Sequence, residues 1–245
     1  MVAKYAARSR GGCPTSELKR MDVTLHITHN VWAKLKRDPK FVWLWKALAQ
    51  PVAAYLYIHA RLTLRTSTVV RTGPGAELQG TAVYVNWHRY VPFLCIHYGQ
   101  RRFWLLMSSA PYLEPVALWC RWLGLTVIRA GPGERSRESL GILVEALKRG
   151  ESVALAADGP AGPGFIAKPG CVELARAAGV PIIPVACKSR KGRSNLKRWD
   201  RMYDVRKFDE IEVCYGAPLV PAPADSEALT LERVQRALEG LPSPD

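Results

Sequence analysis

The sequence predicts an α/β architecture, a mostly parallel central sheet flanked by helices, on three observations. From residue 80 onward, short apolar runs alternate with segments of helical periodicity at βα spacing. Runs such as Val153–Ala157 and Ile182–Ala186 are apolar throughout, which suits strands covered on both faces. Gly124, Gly150 and Gly179 each stand where a periodic segment ends, in the position that favours a helix stop. The chain has 245 residues, 48% of them apolar and 23% charged, which fits one large domain with a sizeable core and argues against global disorder.

Residues 1–39 read as a loosely ordered basic segment with Gly11, Gly12 and Pro14 and little periodicity. A helix follows over about 40–65, interrupted or kinked by Pro51. It carries Trp43, Leu44, Trp45, Leu48, Tyr55, Leu56, Tyr57 and Ile58, flanked by Lys40, Lys46, Arg61 and Arg65. Lys46, Gln50 and Pro51 inside the window argue against a membrane span; aromatics mixed with basic residues suit an interfacial helix, and the alternative is a helix that simply covers the domain core. Thr81–Trp87 is a strand, 90–99 a helix, Phe103–Met107 a strand and 112–123 a helix. Leu125–Ile128 is a strand, and Arg135–Arg149 a helix with Leu140, Leu143, Val144 and Leu147 on one face. Ser152–Ala157 is a strand, 170–178 a helix and Ile182–Cys187 a strand. The segment 195–217 holds one or two further strands, Ile211–Tyr215 the clearest, and a last helix covers about 226–239. Residues 40–245 thus form one domain.

The net charge of +14 is localised. Residues 1–46 hold ten Lys or Arg against three acids, a net of +7, and residues 188–207 hold nine against two, again +7. Such segments attract anionic head groups, phosphorylated substrates or nucleic acid, or serve only as a solvated face. The six cysteines include no Cys-x-x-Cys pair, and the start lacks a secretory leader pattern, so reduced thiols in a cytosolic setting are expected. His26 and His29 alone do not make a zinc site, and no metal is expected.

Ligands of open α/β sheets sit beyond the carboxyl ends of the strands. Three polar residues fall there: His88 after Trp87, Arg129 after Ile128, and Asp158 after Ala157. A neutral imidazole at His88 suits a general base. Arg129 suits bidentate contact with phosphate, and the loop Asp158-Gly159-Pro160-Ala161-Gly162-Pro163-Gly164 offers main-chain N–H groups to an anion. Gly-Lys-Ser/Thr is missing, so the loop is not a P-loop, and it does not open a helix directly, so dinucleotide binding is poorly supported; no Gly-x-Ser-x-Gly elbow is present, which disfavours a serine hydrolase.

Over about residues 40–220 these motifs resemble the lysophospholipid/glycerophosphate acyltransferase superfamily, and most closely an uncharacterised bacterial branch. The blocks are Trp87-His88-Arg89-Tyr90-Val91-Pro92, Gly124-Leu125-Thr126-Val127-Ile128-Arg129, Asp158-Gly159-Pro160-Ala161-Gly162-Pro163 with Ala167-Lys168-Pro169-Gly170, and Val180-Pro181-Ile182-Ile183-Pro184-Val185. Trp199-Asp200-Arg201 and Tyr215-Gly216-Ala217-Pro218 add to the likeness. The resemblance implies transfer of a fatty acyl group from acyl-CoA or acyl-carrier protein to a lipid hydroxyl, without cofactor or metal. It also implies a membrane-associated enzyme, and the first helix with the two basic segments is expected to dock it peripherally on an anionic leaflet, at the cytoplasmic face of the inner membrane. His88 and Asp158 are then the candidate catalytic residues. Arg129, Gly159, Pro160, Gly162 and Lys168 are the candidate substrate-binding residues.

One departure stands out. The superfamily places an acid five residues after the histidine, and here that place holds Phe93. Asp158 is the first candidate to orient the imidazole instead, and Glu114 the second. The departure also motivates a rival reading, a catalytically silent lipid- or acyl-chain-binding protein. A nucleic-acid binder using Trp199 and Tyr203 among the basic residues of 188–207 is a further, disfavoured alternative.

Overall fold

A computed structural model describes residues 39–78, 80–99, 101–130, 134–222 and 224–244. The expectation of a loosely ordered segment over 1–39 falls, apart from Pro39, outside the described residues. The chain divides into two compact units, Met1–Leu48 and Ala49–Asp245. The sheet and the site belong to the second.

Helix α1 runs over Pro39–Thr66, crossing the boundary between the units. It is helical straight through Pro51, so the expected interruption does not occur. The ring removes one N–H from the helical ladder but does not end it. Beyond Ala49, the helix buries Ala53, Ala60 and Thr63 on one side. On the other it exposes Val52, Tyr55, Ile58 and Leu62, which recur at three- and four-residue spacing and form one stripe. In the first unit, Trp43, Leu44 and Leu48 are exposed as well. Among the described residues, no helix is long and apolar enough to cross a membrane.

Among the described residues nine strands follow: β1 Thr68–Thr72, β2 Val83–Asn86, β3 Trp104–Ser108, β4 Thr126–Ala130, β5 Val153–Ala156, β6 Ile182–Ser189, β7 Arg193–Ser194, β8 Tyr203–Asp204 and β9 Glu210–Tyr215. Seven form one sheet in the order β1-β9-β6-β2-β5-β3-β4, and β7 and β8 form a small hairpin. Every pairing in the large sheet is parallel except β6 with β9. The exception has a simple cause: the β7–β8 hairpin joins β6 to β9 with no crossover helix, so the chain can only return antiparallel. Helices α2 (Val91–Gly99), α3 (Glu114–Trp122), α4 (Glu134–Lys148) and α5 (Gly170–Ala178) connect the parallel strands, and α6 (Glu227–Glu239) packs on β6 and α5. The α/β class expected from the sequence is the class observed. The sequence reading missed β1, whose Thr-Val-Val-Arg-Thr pattern is largely exposed, and β7, which is only two residues long.

The central strands supply the core. Val83, Val85, Val153, Ile182, Ile183, Val185, Ile211 and Val213 are fully buried. The five described cysteines, Cys95, Cys120, Cys171, Cys187 and Cys214, are free and buried among them. An aromatic group gathers around Tyr84 of β2. Its ring lies 4.9 Å from Phe103 and 6.0 Å from Tyr98, and 6.2 Å from Tyr215, edge-on.

His97 of α2 belongs to this group, its Nε2 2.7 Å from the Tyr215 hydroxyl. Burial first, and then repulsion from Arg101 and Arg71, lowers its pKa from 6.5 to about 4. The unfolded chain therefore takes up this proton before the folded one does. The stability from a neutral His97 is complete above pH 6.5 and declines as pH falls from 6.5 to about 4, by roughly 3 kcal/mol in full. Urea unfolding at pH 7.0 and at pH 4.5 measures the loss. His97→Gln, which keeps a polar partner for Tyr215 but does not titrate, is expected to show a smaller drop between the two pH values than the parent.

Candidate active site

Three neighbouring parallel strands, β6, β2 and β5, bring the site together at their carboxyl ends. β2 ends at Asn86, and the chain tightens into a 3-10 turn, His88–Tyr90, that leads into α2. His88 sits at the start of that turn, its side chain 24% exposed. β5 ends at Ala156 and Asp158 follows two residues later, fully buried. β6 continues into the β7–β8 hairpin, whose tip is closed by the Asn195 N–H donating to the Met202 carbonyl at 2.9 Å. The tip carries Asp200, also fully buried.

The imidazole meets its acid here. His88 Nδ1 lies 2.8 Å from Asp200 Oδ2, across 112 residues of sequence. Asp200 is held further by Arg198, whose Nε is 2.9 Å from Oδ1 and whose Nη2 is 3.0 Å from Oδ2. The Met202 N–H donates to Oδ1 at 3.2 Å. Burial alone would raise the Asp200 pKa, but the hydrogen bonds from Arg198 and His88 outweigh it and hold the carboxyl at about 2. It is an anion throughout the physiological range. An anion at Nδ1 selects the tautomer that carries the proton on that nitrogen, which leaves Nε2 with its lone pair free to accept one.

Neither acid favoured from the sequence is the ring's partner. Asp158 does reach His88, but through the main chain: its Oδ1 accepts the His88 N–H at 2.8 Å and its Oδ2 accepts the Phe165 N–H at 3.2 Å. It is a strut between the end of β2 and the far side of the 158–165 loop. Burial pushes its pKa up, against the pull of those N–H groups. Glu114 instead pairs with Arg129 at 3.2 Å.

Arg129 lies within the edge strand β4, three strands from β2, and its guanidinium is turned to the 110–114 turn. Nη2 donates to the Ala110 carbonyl at 2.8 Å, while Nη1 reaches Glu114 and, at 3.5 Å, the Leu113 carbonyl. The structure therefore does not bring Arg129 against His88. Lys168 is closer to the site, since its Nζ donates to the Gly162 carbonyl at 2.8 Å and braces the glycine–proline loop from within. Pro160 and Gly159 stand on the same loop.

Two further residues shape the mouth. The Trp199 ring lies 5.2 Å from the His88 ring, tilted by 39°, and is 41% exposed. It presses on the loop opposite: a Cβ on Gly162 would stand 2.8 Å from the indole, and one on Gly164 2.6 Å from the Trp199 carbonyl. Only glycine fits at either place, which is what this loop's composition secures. Arg89, buried behind His88, donates to Ser194 of β7 at 2.7 Å and lies over the rings of Tyr90, Phe165 and Tyr203, tying the hairpin to the turn. From the other side Gln235 of α6 donates to the Phe165 carbonyl at 2.9 Å and accepts from the Ala167 N–H at 2.7 Å, pinning the loop at two points. Among the described residues, no group of three or more His, Cys, Asp or Glu is placed to hold a metal ion.

Sequence reasoning passed over Asp200, Arg198 and Gln235. The signal for Asp200 was present in the Trp199-Asp200-Arg201 block, but its partner could not be read from spacing.

No protein-family profile matches the chain. It is 25% identical over 160 residues to an uncharacterized protein of Rickettsia prowazekii (strain Madrid E), a match that covers 64% of this chain and 72% of that protein. Among solved structures it is similar to the crystal structure of the 1-acyl-sn-glycerophosphate (LPA) acyltransferase PlsC from Thermotoga maritima. That likeness has a TM-score of 0.49 and 17% identity, and covers 83% of this chain and 81% of the other. Neither likeness by itself assigns an activity.

Proposed function

We propose that the protein transfers a fatty acyl group from a thioester, acyl-CoA or acyl-carrier protein, to the hydroxyl of a lipid acceptor at a membrane surface. The observation that carries this reading is the 2.8 Å contact between His88 Nδ1 and a buried, ionised Asp200. It leaves Nε2 as an acceptor at the carboxyl edge of the sheet, next to a glycine–proline loop. The motif resemblance supplies the reaction class.

In the proposed reaction the acceptor hydroxyl approaches Nε2. His88 takes its proton as the oxygen attacks the thioester carbonyl, and Asp200 stabilises the imidazolium that forms. The Asp158–Gly164 loop is the proposed source of main-chain N–H groups for the oxyanion of the tetrahedral intermediate. The C–S bond then breaks, and the thiolate leaves with the proton returned by His88. The thioester supplies the driving force, so the scheme calls for no metal or prosthetic group. The stripe Val52, Tyr55, Ile58 and Leu62, with exposed Arg61 and Arg65 beside it, suits an anionic leaflet, in bacteria the cytoplasmic face of the inner membrane.

The silent-binder reading rested on Phe93 in the acid's place, and the Asp200 contact removes that motive. The test is direct. Purified protein, given vesicles containing lysophospholipids and a labelled acyl thioester, is expected to yield a diacylated product with release of free thiol. Vesicle binding without product, for every CoA and carrier-protein donor tried, would put the silent binder ahead of the enzyme.

A further inference from the structure

We infer that Arg198 is a positioning residue for the His88 base: from the rim of the site its guanidinium fork grips both oxygens of Asp200 and presents Oδ2 to the imidazole. The inference rests on the acyl-transfer reading and assigns a role to a residue that does not touch the reacting atoms.

An aspartate has two rotatable side-chain bonds, and Asp200 reaches its position from an eight-residue tip, Asn195–Met202, rather than from a strand of the sheet. The Met202 N–H fixes only Oδ1. Oδ2, the oxygen that faces His88, is steadied from the protein side by Arg198 Nη2 alone among the described contacts. The Nε and Nη2 pair matches the two carboxylate oxygens in the planar fork that arginine offers and lysine does not. Arg198 itself is 44% exposed. Asp200 is buried, so a purely structural account predicts a loss of stability when this partner is removed, but no change in the chemistry of the imidazole. The geometry predicts more, because the pair it completes ends on the imidazole.

The clamp has an electrostatic side. The charged groups that face the ring are Asp200 and Arg198 from the hairpin tip and Asp158 from the end of β5, which is turned to the main chain of His88. Lys168 faces the Gly162 carbonyl. A guanidinium beside Asp200 opposes the imidazolium, so its removal favours protonation of His88.

The test uses the full-length protein and two variants. Arg198→Gln is expected to lower kcat about tenfold with KM for donor and acceptor little changed. The acidic limb of its kcat/KM profile is expected to move to higher pH, and the ring nitrogens of His88, followed by 15N NMR, to move with it and show a less uniform tautomer. Arg198→Lys keeps the charge but not the fork, so it is expected to hold the limb in place and recover only part of kcat. If Arg198→Gln leaves kcat, pH profile and ring spectrum all unchanged, Arg198 is a surface ion pair and the inference falls. The ring spectrum needs no turnover. A protein that transfers no acyl group but whose ring responds to Arg198→Gln would sink the proposed reaction and keep the clamp. One that turns over through His88 without that response would do the reverse.

Discussion

Replacing His88 with alanine is expected to slow acyl transfer by roughly 10²–10⁴-fold, the range a general base supplies. The fold should survive. The side chain is partly exposed, the main-chain N–H to Asp158 is retained, and Asp200 keeps Arg198 and the Met202 N–H as partners. Near-UV circular dichroism and the thermal midpoint would report that survival, and initial rates at saturating donor would report the loss. Small imidazoles added to the His88→Ala protein are expected to restore part of the rate, because the gap they enter lies at the exposed mouth beside Trp199. Full activity in this variant would remove the base and with it the mechanism.

Asp200→Asn is expected to cost a comparable factor, about 10²–10⁴, by a different route. The amide has nearly the shape of the carboxylate, and its oxygen can still accept from Arg198. Its NH₂ would then face His88 Nδ1 as a donor, which favours the tautomer with the proton on Nε2. That nitrogen can no longer accept from a hydroxyl. The ring would be present, well placed and in the wrong protonation state. Nitrogen NMR of the ring checks the tautomer, and rates check the consequence. Because the two residues act as a unit, the double variant His88→Ala with Asp200→Asn is expected to be no slower than His88→Ala alone. Additive losses would mean that Asp200 works elsewhere.

Local signals carried much of the architecture. Apolar runs such as Val153–Ala156 and stops such as Gly179, which adopts φ +68° at the end of α5, are properties of a few consecutive residues and were legible. β1 was not, because an edge strand exposed on much of its surface lacks the buried pattern that marks a strand and directly follows a long helix. The candidate site divides along the same line. His88 and the 158–164 loop announced themselves by following strands. Asp200 did not, because it lies among Arg198, Arg201 and Lys197, where an acid reads as charge balance. Its use depends on a hairpin folding back over the end of β2, which no spacing rule encodes. Asp158 was read from its position at a strand end, and position could not tell a carboxylate that faces a ring from one that faces main-chain N–H groups.

The reversed strand β9 has a consequence for how an acceptor would arrive. Since β9 runs against β6 and β1 runs with β9, both begin at the edge where β2, β5 and β6 finish, and Thr66, the last residue of α1, lies beside Phe208 at that same edge. On the proposed docking, the stretch of α1 that ends in Leu62 would lie along the leaflet and stop at the same edge of the sheet as the base, three strands away from it. The leaflet and the base would then share one edge of the sheet, so an acceptor held in the bilayer would approach along that edge.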